Sequence, residues 1–229
     1  MPKIYATADQ AIADIPDGAT IMVGGFGITG VPATLIGALA RQGAKGLTII
    51  ANSAGGRNPE TDLSRLVVNG QMKKLIASYP AYRDRVVPFE EWYKQGKIEL
   101  ELVPQGTFAE RIRAGGAGIP AFYTPTSAGT QLAAGKEIRI IDGRECVLEY
   151  GLRADYALVN AYKTDTMGNL VYHRAARNFN PVMATAARIT IAEVREIVPT
   201  GRLDPEAIVT PGIYVDRIVI GEKHEIRFA

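Results

Sequence analysis

The sequence predicts an α/β fold: a mostly parallel sheet with helices on both faces and an antiparallel hairpin insertion. Three observations predict it. Short apolar runs such as "ATIMVGG" and "LTIIANSAGG" end in glycines or polar loops, as parallel strands buried on both faces do. Between these runs lie helix-like stretches bounded by caps and glycine stops. Finally, "EIRIIDGRECVLEY" is two strand-like runs joined by Asp142-Gly143, a strong short-range hairpin signal.

Along the chain, Thr7 opens "TADQAIADI" with Gln10 three residues later, the spacing of a capping box. "ATIMVGG" is the first strand. Pro32 suits the first turn of a helix through "ATLIGALARQ", and Gly43 stops it. "GLTIIANSAGG", "KKLIASY", "KIELELVPQG" and "AFYTPT" supply further strand-like runs. Interleaved with them, "ETDLSRLVVNG", "PFEEWYKQG" and "TFAERIRAGG" read as short helices closed by glycine. After the hairpin come the strand "ADYALVNAY", a helix opening near Asn180-Pro181, and the strands "RITIAEV" and "IYVDRIVIG". No internal repeat or low-complexity linker divides the chain, so residues 1–229 read as one domain.

Composition excludes several classes of function. The formal net charge is only +2 and the basic residues are scattered, so no nucleic-acid surface is expected. Cys146 is the single cysteine, which rules out an intrachain disulfide or a Cys-based zinc site; within "ECVLEY" it reads as a buried, inert thiol. His173 and His224 are far apart and lack metal-ligand spacing, so no metal is expected. The N-terminus carries no signal-peptide pattern and no stretch reaches membrane-span length. A soluble cytoplasmic protein is the expectation.

The stretch "MVGGFGITGVP", residues 22–32, contains Gly25-Phe26-Gly27-Ile28-Thr29-Gly30, a G-x-G-x-x-G. A dinucleotide fingerprint needs a strand before, a helix after and an acidic residue about 20 positions on. The third condition fails, because the next strand runs into Asn52 and Ser53. Arg57 is not clearly placed for a 2′-phosphate, and Pro32 removes a backbone donor that a pyrophosphate would use. A dinucleotide-dependent oxidoreductase is therefore a weak rival. A plain tight turn explains one or two glycines. Four of them in seven residues, Gly24, Gly25, Gly27 and Gly30, imply that a ligand or a partner chain approaches closely.

"TIMVGGFGITGVP" resembles the signature of the first, A-type subunit of the family I coenzyme A transferases that act on 3-oxoacids. The resemblance continues, in order, through "LTIIANSAG", "GKIELELVPQGTFAERIRAGGAGIPAFYTPT", "GNLVYHRAARNFNPVMATAA" and "VTPGIYVDRIVIG". It implies a CoA-transferase-like three-layer fold. It also implies that Gly24, Gly25, Phe26, Gly27, Ile28, Thr29 and Gly30 associate with coenzyme A, a co-substrate rather than a permanently bound cofactor. In such enzymes the nucleophile is a glutamate in a Ser-Glu-Asn-Gly-like motif on the second, B-type subunit. It attacks the acyl-CoA and becomes a glutamyl-CoA thioester. That motif is absent here: none of the fourteen glutamates is followed by asparagine. Glu110 reads instead as a solvated or paired helix charge, with Arg113 and Arg111 close by.

The resemblance thus implies half an enzyme. Its partner, the B-type subunit, carries the nucleophile, and the pair usually doubles into a heterotetramer. Gln105 and Asn52 are assigned by resemblance to the acyl pocket as oxyanion or positioning groups. Ser53, which departs from the Asn-Asn of many relatives, lies beside them. Gly115, Gly116 and Gly118 would let backbone approach the acyl group or the partner subunit, with Phe122 and Tyr123 as an apolar wall. A helix stop followed by a core strand accounts for Phe122 equally well. Arg177 fits either a substrate carboxylate or a brace at the interface between the two subunits. The substrates implied are succinyl-CoA and a 3-oxoacid, acetoacetate or 3-oxoadipate. "FGITGVP" looks more like the succinyl-CoA-using relatives than the acetate/butyrate-acetoacetate (short-chain fatty acid) transferases, which often have "GGFMGIG".

Overall fold

Strand β1 (Thr20–Val23) divides the molecule into two cores through the alternation of its side chains. Ile21 and Val23 join one core with Leu35 and Leu39, whereas Met22 joins the other with Phe108 and Ile112. Strands covered on both faces must be apolar at every position, which is why "TIMV" shows no polar alternation. The computed structural model describes residues 3–56 and 61–222. Arg57 and His224, singled out in the sequence, lie outside the described residues.

In the large sheet, β1 is followed by β2 (Leu47–Ala51), β3 (Met72–Ala77), β4 (Glu99–Leu102), β8 (Ala154–Asp165), β10 (Ala187–Val198) and β11 (Arg217–Ile220). Their order is β11-β10-β8-β1-β2-β3-β4, with all neighbours parallel. The two-residue β9 (Leu170–Val171) adds antiparallel to β8. On one face, α1 (Ala8–Ile12), α2 (Ala33–Gln42), α3 (Ser64–Val68) and α4 (Pro88–Lys94) contribute buried side chains to the first core. On the other, α5 (Gln105–Gly116) and α6 (Asn180–Ala184) fill the second. Each large apolar side chain so buried contributes about 1.5–3 kcal/mol.

Local signals act as expected. The Thr7 hydroxyl accepts the Gln10 N–H at 3.2 Å, and Gly43 ends α2 at φ +85 with its N–H on the Leu39 carbonyl. Asp142 and Gly143, at φ +49 and +72, form the tight turn between β6 (Ile138–Ile141) and β7 (Arg144–Tyr150). Cys146 is buried. Among the described residues, no helix is long and apolar enough to cross a membrane.

Two details differ from the sequence reading. "AFYTPT" does not extend the parallel sheet; its β5 (Ala121–Thr124) pairs antiparallel with β7, giving a separate sheet β5-β7-β6. An isolated two-stranded hairpin is marginal in water, and the third strand completes it. In "IYVDRIVIG", Tyr214 belongs to a 3-10 turn and the strand starts only at Arg217.

Arg111 joins the two sheets. Its side chain is almost buried; Nη1 donates to Glu101 of β4 at 2.8 Å and Nε to the Tyr150 carbonyl of β7 at 2.8 Å. Glu149, also on β7 and buried, lies 3.7 Å from Nε and is held by Lys136 at 2.6 Å. Removing one member of such a buried network strands the others. Arg111→Ala is expected to lower stability by about 3 kcal/mol, read as a lower midpoint of urea unfolding. An unchanged midpoint would show that the joint is dispensable.

Candidate functional site

β1 stops at Val23, while its neighbour β8 runs for 12 residues, leaving a step at the C-terminal edge of the sheet. The glycine loop fills that step. Gly24 donates its N–H to Leu158 of β8 at 2.9 Å, and the chain then turns away. Phe26 and Thr29 bond each other in both directions, at 2.9 and 3.0 Å, closing a two-residue turn with Gly27 at φ +60. A Cβ on Gly24 would fall 1.8 Å from the Asn180 amide oxygen, and one on Gly30 would fall 2.5 Å from the Ala176 carbonyl. The close approach at those two glycines is therefore to the chain itself. Gly27 faces open space, and Phe26 beside it is 49% exposed. The tip, not the whole loop, is presented outward.

The start of α2 explains why the loop is no dinucleotide site. The N–H groups of Thr34 and Leu35 donate to one oxygen of Glu193, at 2.9 and 3.1 Å. A pyrophosphate would need those donors, and a carboxylate from β10 already holds them. Glu193 is 3% exposed, and burial pushes its carboxyl up to about 7 against the Leu35 and Thr34 N–H bonds. Sequence reasoning passed over this residue. Its signal was an acidic residue inside the otherwise uncharged run "ITIAEV".

Asn52 and Gln105 come together although 53 residues separate them. Asn52 follows β2 and is 2% exposed; its side-chain oxygen accepts Gln105 Nε2 at 2.7 Å and Ser78 Oγ at 3.0 Å. Pro104 precedes α5 and makes Gln105 its first residue, set at the mouth of the strand-helix turn after β4. Gly24, Gly25 and Gly27 line a narrow cleft together with Asn52 and Ser53. Ile28, Thr29 and Gly30 line the wall of a second cleft, of about 470 Å³, with His173, Arg174, Glu193 and Arg195. This edge, beyond the carboxyl ends of parallel strands, is where open α/β sheets take ligands.

The family model for coenzyme A transferases matches residues 5–221. The chain belongs to the coenzyme A transferase family. It is 54% identical over 217 residues to the A-type subunit of 3-oxoadipate CoA-transferase from Pseudomonas putida, spanning 95% of this chain and 93% of that one. It is 50% identical over 227 residues to the A-type subunit of a probable succinyl-CoA:3-ketoacid coenzyme A transferase from Bacillus subtilis, spanning 99% and 93%. Its fold matches an acyl-CoA transferase from E. coli O157:H7, solved as a thioester complex with CoA. There the TM-score is 0.82 at 23% identity, over 95% of this chain and 46% of that one.

Within this transferase chain the remaining candidates lie apart from the Asn52–Gln105 pair. Gly115 and Gly116 sit at the far end of α5, roughly 15 Å along its axis from Gln105. A Cβ on Gly115 would fall 1.8 Å from the Leu152 carbonyl, and one on Gly116 2.4 Å from Thr185 Oγ1. Both glycines are thus tightly packed against their own chain. Phe122 is half-buried on β5, across from Glu149, and lines neither cleft. Arg177 is exposed and also lines neither. Glu110 is paired with Arg113 at 2.6 Å on the surface, as its spacing predicts. Among the described residues no group of three or more His, Cys, Asp or Glu could hold a metal ion.

Two outcomes follow from this geometry. Gly115→Ala is expected to lower stability by roughly 1–3 kcal/mol through overpacking; an unchanged melting temperature would show that the helix end can yield. For Glu193, the folded carboxyl at about 7 binds protons that the unfolded one, near 4.5, releases. Its contribution to stability is therefore full below pH 4.5 and is lost as pH rises to 7, by about 3 kcal/mol. Unfolding of wild type and Glu193→Gln across pH 4.5–8 should show this slope only in the wild type. Parallel curves would contradict it.

Proposed function

We propose that this chain is the A-type subunit of a 3-oxoacid coenzyme A transferase that uses succinyl-CoA as donor and acetoacetate or 3-oxoadipate as acceptor. The observation that carries the reading is the Gln105–Asn52 amide pair, 2.7 Å apart, whose Asn52 shares a cleft with Gly27 of the glycine loop. The family and the A-type relatives support CoA transfer as the chemistry that pair would serve. The nucleophile is a glutamate of the partner, the B-type subunit. Its carboxylate attacks the thioester carbonyl, the C–S bond breaks, and an acyl-glutamyl anhydride and CoA thiolate result. The thiolate then attacks the glutamyl carbonyl, releasing succinate and leaving glutamyl-CoA. The 3-oxoacid carboxylate reverses both steps, regenerates the glutamate and leaves as its CoA ester.

Each attack places negative charge on a carbonyl oxygen. Among the described residues Gln105 donates only to Asn52, which leaves its second N–H for that oxygen. Neutral donors fixed in advance lower the barrier without titrating. Ser53 lines the same cleft, and Phe26 to Thr29 face the CoA ester. Coenzyme A enters and leaves as co-substrate; no permanently held group is needed. In this reading the chain is a single domain, works in the cytoplasm, and joins its B-type partner in a heterotetramer.

Incubating the assembled pair with succinyl-CoA and no acceptor should leave CoA as a thioester on the partner chain, seen by intact mass. An adduct on this chain instead would overturn the division of labour. Gln105→Ala, at an exposed helix start, should fold normally and lower kcat about 100-fold. Wild-type kcat would remove Gln105 from the reaction.

A further inference from the structure

We propose that Asn178 and Asn180 are positioning residues that fix the glycine loop against α5, and so set the distance between the loop tip and Gln105. This rests on the reading that the loop meets the CoA ester. Asn180 is fully buried, and every polar atom of its amide is engaged. Its oxygen accepts the Asn160 N–H of β8 at 2.8 Å; its nitrogen donates to the Gly30 carbonyl at 3.0 Å and the Ala176 carbonyl at 2.9 Å. The same oxygen occupies the space where a Gly24 side chain would go. One amide therefore touches both ends of the loop, Gly24 and Gly30.

Asn178 holds the tip. Its Nδ2 donates to the Thr29 carbonyl at 3.0 Å and the Ala175 carbonyl at 2.9 Å, while Oδ1 accepts the Phe179 N–H at 2.6 Å. It does so at φ +20, ψ −119, a backbone state that favours glycine and costs an asparagine of order 1–3 kcal/mol. A residue kept in such a state for its side chain has a task that glycine could not perform. Between the two asparagines, Phe179 is buried edge-on against Phe108, with ring centroids 5.4 Å apart. Phe108 lies three residues after Gln105, on the same side of α5. The tripeptide Asn178-Phe179-Asn180 thus grips the loop with its outer residues and α5 with its middle one.

The test uses the assembled pair and two variants. Asn178→Asp keeps the shape and the acceptor but removes both donors; Asn178→Gly also frees the strained backbone. Both should fold, and the glycine variant should melt no lower than the wild type. In both, hydrogen exchange at residues 25–30 should quicken while the sheet core stays protected. At the same time kcat/KM for succinyl-CoA should fall about 10- to 100-fold, the cost of misplacing a reacting group. Wild-type kcat/KM in both variants, or unaltered exchange at the loop, would overturn the proposal. Should the wild-type pair transfer no CoA, the functional reading fails instead, and loop exchange alone decides the clamp.

Discussion

The early end of β1 is the constraint on which the site depends. Strands in a parallel sheet deliver their carboxyl ends to one edge, and β1 reaches that edge after four residues, beside a β8 of twelve. The chain must leave the ladder at Gly24 with the backbone of β8 still running alongside. Only residues without side chains, or with positive φ, can make that exit in the space left between the Asn180 amide and the Ala176 carbonyl. The same step borders the end of β2, where the buried Asn52 stands, and the buried Glu193 that meets α2. Loop shape, helix position and amide pair are consequences of one short strand.

Around this step polar groups divide into two kinds. Glu193 and Asn180 are spent internally: the first on the N–H groups of α2, the second on the loop and β8. Buried polar groups so satisfied specify a geometry and leave nothing for a ligand. Gln105 is of the other kind: exposed and, among the described residues, held by a single side-chain bond to Asn52 that leaves a donor to spare. The glycines divide likewise. Gly24 and Gly30 are demanded by the chain's own packing, whereas Gly27 lies open at the tip. A G-x-G-x-x-G alone does not reveal which kind each position is, and here its helix N-terminus is closed by a carboxylate.

This division also explains how much could be read from the sequence. Runs such as "TIMV" and "LTIIA", the Thr7 cap, the Gly43 stop and the Asp142-Gly143 turn act locally, so their elements were legible. The strand β5 was legible as a strand but not as a member of the second sheet, since four residues carry no record of their partner. Gln105 and Asn52 are candidates through the resemblance alone; their direct contact is a property of the folded sheet. Glu193, Asn178 and Asn180 were not legible as loop supports, because the groups they hold lie about 150 residues away. The reason for Gly115 and Gly116 is not legible either, because a glycine packed against Leu152 or Thr185 is spelled like one that meets a ligand.

The central claim is that this chain supplies the donors and another chain the nucleophile. Its most direct test is CoA transfer from succinyl-CoA to acetoacetate and to 3-oxoadipate, measured with this chain alone and with its B-type partner added. The account predicts transfer by the pair and none by this chain alone, with the faster acceptor naming the 3-oxoacid. Full transfer by this chain alone would contradict it and place the nucleophile among its own carboxylates.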